Sequence, residues 1–516
     1  MSTIKETLLN LDSREKSERR KVEVDYYFYR GACEDRDIAL KKPSYWGQNW
    51  EEKDDVDYIP TQDIRNKVKP LLRKQARWMF SKEPDILIIP ADKKQKETAE
   101  ELRKFIDDTL RKNLFWKKTR QAFLMSTIKK RVMLRAAAGQ GKLNLRYEDI
   151  ENFSYKEIDG QVMEARFFQE DLNNVYHENE EDKKIYYIHK FYYKKVEENE
   201  PEKAVYCKQK FNGSDLLNPI EEEEQEIGFD INKIPVWLIK NGGELGEEFG
   251  ETDLHDLKPI QNQYNKTISD AADAIKFGLF GTENVVDGNE DDVNKFEVAP
   301  GALRAIHTDA QALTEGKQAT ISKSEYSLTG INAVETYLDR AEKDMNFILD
   351  MPSLDDMNNI PSAKAMRYLY NDLIARCEEK WNDWGPVLEE VIRYIILIAQ
   401  EAKLPGFNPK WNDLEFTLIF NHNYPIPSDE EEKKTIAISE VSNKVRSVKS
   451  YLKEFSNEDD FVGAYQEILK EQSEFAGTEM SEFATANYSD DDSDTKKDGI
   501  KNMEEEDEKV RDLDDE

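Results

Sequence analysis

Phosphate-transfer chemistry needs a glycine-rich cradle, a lysine for the β/γ-phosphates and a hydroxyl for Mg²⁺. The nearest approach in this chain is Ala136-Ala137-Ala138-Gly139-Gln140-Gly141-Lys142-Leu143. Alanine stands at the first glycine position and Leu143 where the hydroxyl belongs, so the stretch reads as a hairpin turn. Zinc chemistry needs three or four converging N or S ligands, but His177, His189, His255, His307 and His422 show no HxH, HxxxH or HExxH spacing. Asp287-Gly288-Asn289-Glu290-Asp291-Asp292 matches a calcium loop in composition alone, because its glycine is second where an EF-hand needs it sixth. Nucleophilic catalysis fares no better. There is no GxSxG elbow, and Cys33, Cys207 and Cys377 have no histidine nearby in sequence to activate them. Clustered carboxylates could arise anywhere among 107 Asp and Glu, so they carry no signal for a metal-dependent nuclease. Catalytic residues, metal and cofactor are all expected to be none.

Charge restricts function further. The 516 residues carry a net −33, and 35% are charged, against about 25% in an ordinary globular protein. Such a surface repels phosphate and excludes a protein that coats nucleic acid by counterion release. Three well-separated cysteines suit a reducing compartment. The polar stretch Met1 to Arg20 has no signal-peptide core, and Tyr394–Ala399 is far short of a bilayer span. A soluble protein made in the cytoplasm, without membrane contact, is expected.

The elements that carry these residues divide the chain. Up to about residue 250 it is mixed α and β. A helix is expected over Thr61–Phe80 and a second helical run over Thr98–Arg131. Short β-prone runs follow at Val132–Arg135, Leu143–Tyr147, Val162–Phe168, Ile185–Lys194 and Ala204–Phe211. With turns such as Asp159-Gly160 and Asn212-Gly213, these predict an antiparallel meander closed by Ile234–Ile239. Long helices begin after Asn241-Gly242-Gly243. In Thr252–Phe277 the residues Leu254, Leu257, Tyr264, Ile268, Ala271 and Ile275 step by three and four, with Gln261 a polar exception. Tyr326–Leu349 repeats the pattern with Ile331, Val334, Leu338, Ala341, Met345 and Ile348. Each helix would be roughly 35–40 Å long, with a narrow stripe suited to packing on other helices. Copies arranged around an axis could bury these stripes between neighbours. Gly278–Ser324 reads as a small insert at the far end of the hairpin. Asp350–Pro361 is a proline-bounded polar loop, and a third helix over Ser362–Lys403 contains Gly385-Pro386, where a kink is expected. A strand at Leu414–Phe420 and short helices to about Phe475 follow. Ser489–Glu516, with 14 acids and 5 bases, should be disordered.

This order of parts resembles the portal proteins of long-tailed bacteriophages over about residues 20–470. The residues that carry the resemblance are Tyr26-Tyr27 with Arg30-Gly31, the Asn66-initiated helix ending at Met79-Phe80 before Pro84, and the strand Ile234–Asn241. Asp253-Leu254, Asp256-Leu257, Tyr264-Asn265 and Ser269-Asp270 match on the first long helix, and Ser362-Ala363-Lys364-Ala365-Met366 after the loop. Ser81 and Ala363 stand where glycine is usual.

The resemblance implies an α+β portal fold with these parts: a mixed α/β wing at 1–250, stem helices at 251–277 and 325–349, and an α/β clip at 278–324. A tunnel loop at 350–361, a kinked helix and return to the wing at 362–428, a helical crown at 429–475 and an acidic tail at 476–516 complete it. It further implies a ring of about twelve copies at one capsid vertex, located in the virion and assembled in the host cytoplasm. Double-stranded DNA would pass through its channel. Terminase large subunit, a head–tail adaptor, major capsid protein and scaffolding protein would be its partners. Under it Asn358, Asn359, Ile360 and Lys364 would approach DNA, and Gly278, Gly281 and Gly288 would let neighbouring clips approach for docking. Leu254, Leu257, Tyr264, Ile268, Ile331, Val334, Leu338 and Met345 would pack the stem. Two other classes stay open on the residues alone: a non-portal scaffold using coiled-coil-like helices, and an acidic nuclease.

Overall fold

The computed structural model describes residues 2–31, 61, 63–171, 183–195, 202–227, 232–243, 246–280, 282–293, 306–324, 330–352, 368–422, 424–425, 430–455 and 463–470. Two compact units emerge, Met1–Pro427 and Ser428–Glu516.

The first unit opens with α1 (Ser2–Leu8) and α2 (Ser13–Arg30). Asp12 caps α2 by accepting from the Glu15 N–H, and Gly31 closes it at φ 72°, with its N–H on the Tyr27 and Phe28 carbonyls. The next helix, α3 (Val68–Phe80), starts later than the apolar spacing predicts. Residues 61 and 63–67 lie outside the helix instead, because their backbone groups find partners on another helix. Asn66 sets the boundary: its Oδ1 accepts from the Lys69 N–H at 2.9 Å, and its Nδ2 donates to the Tyr29 carbonyl at 2.8 Å. A Cβ on Gly31 would lie 2.7 Å from Asn66 Nδ2, so the glycine lets the two chain segments meet.

The single helical run expected to Arg131 is two helices, α4 (Lys96–Lys112) and α5 (Phe115–Lys129). They break at Asn113-Leu114, where Leu114 takes φ 50° and the Asn113 side chain holds the Thr109 carbonyl and the Leu145 N–H. Strand β1 (Asp85–Pro90), which precedes them, pairs antiparallel with β12 (Phe416–Asn421) and joins the two ends of the unit.

The expected meander is two sheets. Strands β2 (Arg131–Gly139) and β3 (Lys142–Asp149) form a hairpin whose turn, Gln140-Gly141 at φ 51° and 75°, occupies the phosphate-loop look-alike. Strand β9 (Val236–Lys240) returns to pair with the other edge of β2, so it closes this three-stranded sheet. In between, β4 (Phe153–Ile158), β5 (Gln161–Glu170), β6 (Ile185–Lys194), β7 (Lys203–Asn212) and β8 (Glu221–Glu226) form a separate five-stranded antiparallel sheet. The sequence Glu-Glu-Glu-Glu-Gln-Glu of β8 has no apolar alternation. It is an exposed edge strand, tied down by Lys210–Glu221, Lys194–Glu224 and Lys203–Glu226 pairs.

The helical half comprises α6 (Leu257–Phe280), β10 (Thr282–Val286), the short helices α7 (Glu290–Val293) and α8 (Ala310–Thr314), β11 (Thr320–Ser324), α9 (Ile331–Ile348) and α10 (Asn371–Glu401). Helix α10 continues through Pro386 as one element, although the proline leaves a carbonyl unpaired in the preceding turn. Buried Trp384, Leu388, Val391, Ile392 and Ile395 join α3 and α5 in the main core. An aromatic cluster anchors it, with Phe80 and Trp384 centroids 5.8 Å apart and Trp381 and His422 4.1 Å apart. The second unit contains α11 (Glu430–Ser442) and α12 (Val448–Phe455).

Candidate functional site: the helical hairpin and its root

Helices α6 and α9 pack as an antiparallel pair. Tyr264 on α6 donates to Glu342 Oε1 of α9 at 2.8 Å, and Lys67 reaches the same carboxylate at 2.7 Å. The apolar stripes face inward, but their burial is graded. Leu254, Leu257 and Met345 are fully buried, Tyr264 and Ile268 nearly so, and Ile331, Val334 and Leu338 only half-buried. Towards the root, therefore, this chain covers its own stripe.

A second stripe on α6 is polar. Gln261, Asn265, Ser269 and Asp273 recur every four residues, and all are buried. They take the backbone of the extended segment before α3, rung by rung. Lys67 N–H donates to Gln261 Oε1 (2.9 Å), Arg65 N–H to Asn265 Oδ1 (3.1 Å), Asp63 N–H to Ser269 Oγ (2.9 Å) and Thr61 N–H to Asp273 Oδ2 (3.0 Å). Gln261 Nε2 donates back to the Arg65 carbonyl at 2.8 Å. The spacing works because four helical residues rise about 6 Å and two extended residues span about 6.6 Å. This ladder explains why Gln261 breaks the apolar pattern, and why Asn265 and Ser269 sit where they do. The available signal was four hydrogen-bonding side chains at a strict spacing of four beside an apolar stripe.

At the root, three elements converge on Asp253. Lys380 Nζ (2.8 Å) and Arg376 Nη2 (3.3 Å) come from α10, Gln75 Nε2 (3.0 Å) from α3, and Asn241 Nδ2 (3.0 Å) from the end of β9. Arg376 also pairs with Asp350 at 3.3 Å and donates to the Ile348 carbonyl at the end of α9. Burial pushes the Asp253 carboxyl up, but Lys380 and Arg376 outweigh it and hold the group below the usual carboxylate range. The network thus ties the end of α9 to α10. Sequence reading gave Asp253 no partners, since they are contributed from residues 75, 241, 376 and 380.

The proposed DNA-facing residues Asn358, Asn359, Ile360 and Lys364 lie outside the described residues, as do Gly281, the Ser362–Met366 element and the acidic tail. Gly278 is in the last turns of α6, half-buried. In the insert, β10 and β11 pair antiparallel, and Gly288 bridges to Thr308. A Cβ on Gly288 would collide with the side chain of Ile306 in the same chain. Asp292, in the look-alike calcium loop, accepts from the His307 N–H and ring Nδ1. Among the described residues no group of three His, Cys, Asp or Glu could hold a metal ion. Burial pushes the Cys377 thiol up to about 12, and burial with the neighbouring Glu222 does the same to Cys207, which leaves both protonated and inert. His189 is pushed down to about 4 by burial, with Arg135, Lys208 and Arg146 adding to the effect. It is held by Tyr206 and Gln169 as a structural group.

A hairpin of long helices tipped by a small insert and rooted by a charged clamp in an α+β body defines an architectural protein. The family model for phage portal proteins, SPP1 Gp6-like, matches residues 8–478, and the chain belongs to this family. No curated protein matches it. The family is structural and non-enzymatic. Its members are head–tail connectors that serve DNA packaging as capsid-associated oligomeric rings of the virion. Among the described residues no helix is long and apolar enough to cross a membrane.

Proposed function

We propose that this chain forms a ring of about twelve copies at one capsid vertex, through which double-stranded DNA is packaged and later ejected. The observation that carries the reading is the family match over residues 8–478, and the antiparallel α6/α9 pair with its β10/β11 insert agrees with it. The net −33 of each copy supports a sliding surface, because tight phosphate pairing would have to be broken at every step of translocation. In this reading residues 350–361 form the constriction, with Asn358, Asn359 and Ile360 nearest the DNA and Lys364 beside them. The insert at 278–324 docks the terminase large subunit during packaging and a head–tail adaptor afterwards. Major capsid and scaffolding proteins surround the wing.

Electron microscopy of the purified protein tests the assembly: closed rings of about a dozen subunits with an axial hole are expected, and a compact monomer or dimer overturns it. Ile360→Arg should reduce packaged DNA while rings still form. Normal packaging with Ile360→Arg removes that loop from the channel.

A further inference from the structure

Helices α3 (Val68–Phe80) and α5 (Phe115–Lys129) carry four bases each and no Asp or Glu. In a chain with 107 acids to 74 bases, this is a local reversal of charge. The two helices pack against each other. Phe80 at the end of α3 stacks on Trp116 at the start of α5, with ring centroids 6.3 Å apart. At the opposite ends, Lys129 of α5 lies 4.3 Å from the Tyr26 ring centre. Tyr29, one turn further along α2, accepts from Asn66 and Arg73 beside the start of α3. The pair is therefore antiparallel.

Each helical residue turns about 100°. Exposed Arg73 and Arg77 with half-buried Lys74 on α3, and exposed Lys117 and Arg120 on α5, all lie about 20–120° round from the Phe80–Trp116 contact, in the same rotational sense. In an antiparallel pair the same sense brings both arcs to one side, so these bases form one face across two helices whose axes are about 8–10 Å apart. Lys74, Arg77, Lys117 and Arg120 make no hydrogen bond or ion pair among the described residues, and Arg73 bonds only the Tyr29 hydroxyl, at 3.3 Å. Burial pushes the Lys74 ammonium below the usual lysine range, with no carboxylate acting against it. Neither helix exposes a large hydrophobic side chain, whereas protein interfaces are centred on such anchors.

We infer that this face binds the phosphate backbone of double-stranded DNA, outside any channel and without reading base sequence. Cations spread over two helices, unpaired and without an apolar centre, suit a duplex that presents one negative charge about every 1.7 Å of its axis. The chain as a whole carries −33 and repels phosphate, so the contact is local and weak, and the surrounding field steers a duplex to this face.

Closed-circular duplex DNA tests the inference, because a circle has no end to enter a channel. The full-length protein should retard the circle in gel shifts at low salt. Affinity should fall about 100-fold or more between about 50 and 200 mM salt, as about four or five phosphate contacts require. The triple variant Arg77→Gln, Lys117→Gln, Arg120→Gln should bind about tenfold more weakly or worse at the lower salt, with the salt slope reduced by about three. Removing three exposed lysines elsewhere, by Lys403→Gln, Lys410→Gln and Lys449→Gln, should change binding by less than about twofold. Thermal melts of the two triple variants should coincide, and Arg77→Lys with Arg120→Lys should bind within about twofold of the wild type, which separates lost charge from lost folding. A wild type that does not bind the circle, or equal losses in the two triple variants, overturns the inference. Tighter binding of poly-glutamate than of the circle, lost in the first triple variant, would assign the face to an acidic protein and overturn it as well. Each of these outcomes is independent of whether rings form.

Discussion

The root and the outer half of the α6/α9 hairpin use the same residue types for opposite ends. At the root Asp253 is enclosed by Lys380, Arg376, Gln75 and Asn241. Further out, Asp270 stands in water. The apolar residues follow the same gradient, from fully buried Leu254, Leu257 and Met345 to half-buried Val334 and Leu338. The root is finished within one chain, and the outer half is not. Rigidity is therefore expected where the hairpin joins the body, with surface left for assembly beyond it.

Breaking the clamp should have the largest effect. Asp253→Ala leaves Lys380 and Arg376 facing each other without their carboxylate, and urea melts should show a loss of about 3–5 kcal/mol. A loss no greater than for Asp270→Ala would erase the contrast between the two regions. Cavity formation comes next. Met345→Ala should cost about 3 kcal/mol at a site with no exposure, while Val334→Ala at its half-exposed position should cost about 1 kcal/mol or less. Equal costs would mean that the outer stripe is covered within a single subunit after all. The ladder should respond more locally: Asn265→Ala removes the acceptor for the Arg65 N–H, worth about 1–2 kcal/mol. Faster proteolysis just before α3, with the global melt little changed, would show that this segment can detach alone. The smallest effect concerns pH. His189 has its folded pKa lowered to about 4 from 6.5, so its contribution is fully present above pH 6.5 and declines as pH falls towards 4. A modest drop in melting temperature over that window, absent in His189→Gln, is expected from a group that is only partly buried.

Legibility in the sequence followed periodicity. The stripes of α6 and α9 were visible because a helix repeats its buried face every three or four residues, and β5, β6, β7 and β9 because their β-branched and aromatic residues cluster between turn signals. The Gln140-Gly141 and Asp159-Gly160 turns were readable from chemistry that tolerates positive φ. Strand β8 was invisible, since five glutamates lack any apolar alternation and owe their pairing to lysines on β6 and β7. The helix expected from Thr61 failed for a related reason: its first turn has better partners in Gln261, Asn265, Ser269 and Asp273 than it would have in itself.

By itself the sequence determined the division into an α+β body, a long helical hairpin with an insert, and an acidic surface unsuited to gripping DNA, because composition and periodicity act along the chain. Only the tertiary structure decided that the meander splits into two sheets, that Asp253 gathers partners from three other segments, and that the stripe is sealed at one end and open at the other. Those outcomes depend on which distant side chain supplies a missing charge, hydrogen bond or apolar neighbour, and spacing along the chain does not encode that proximity.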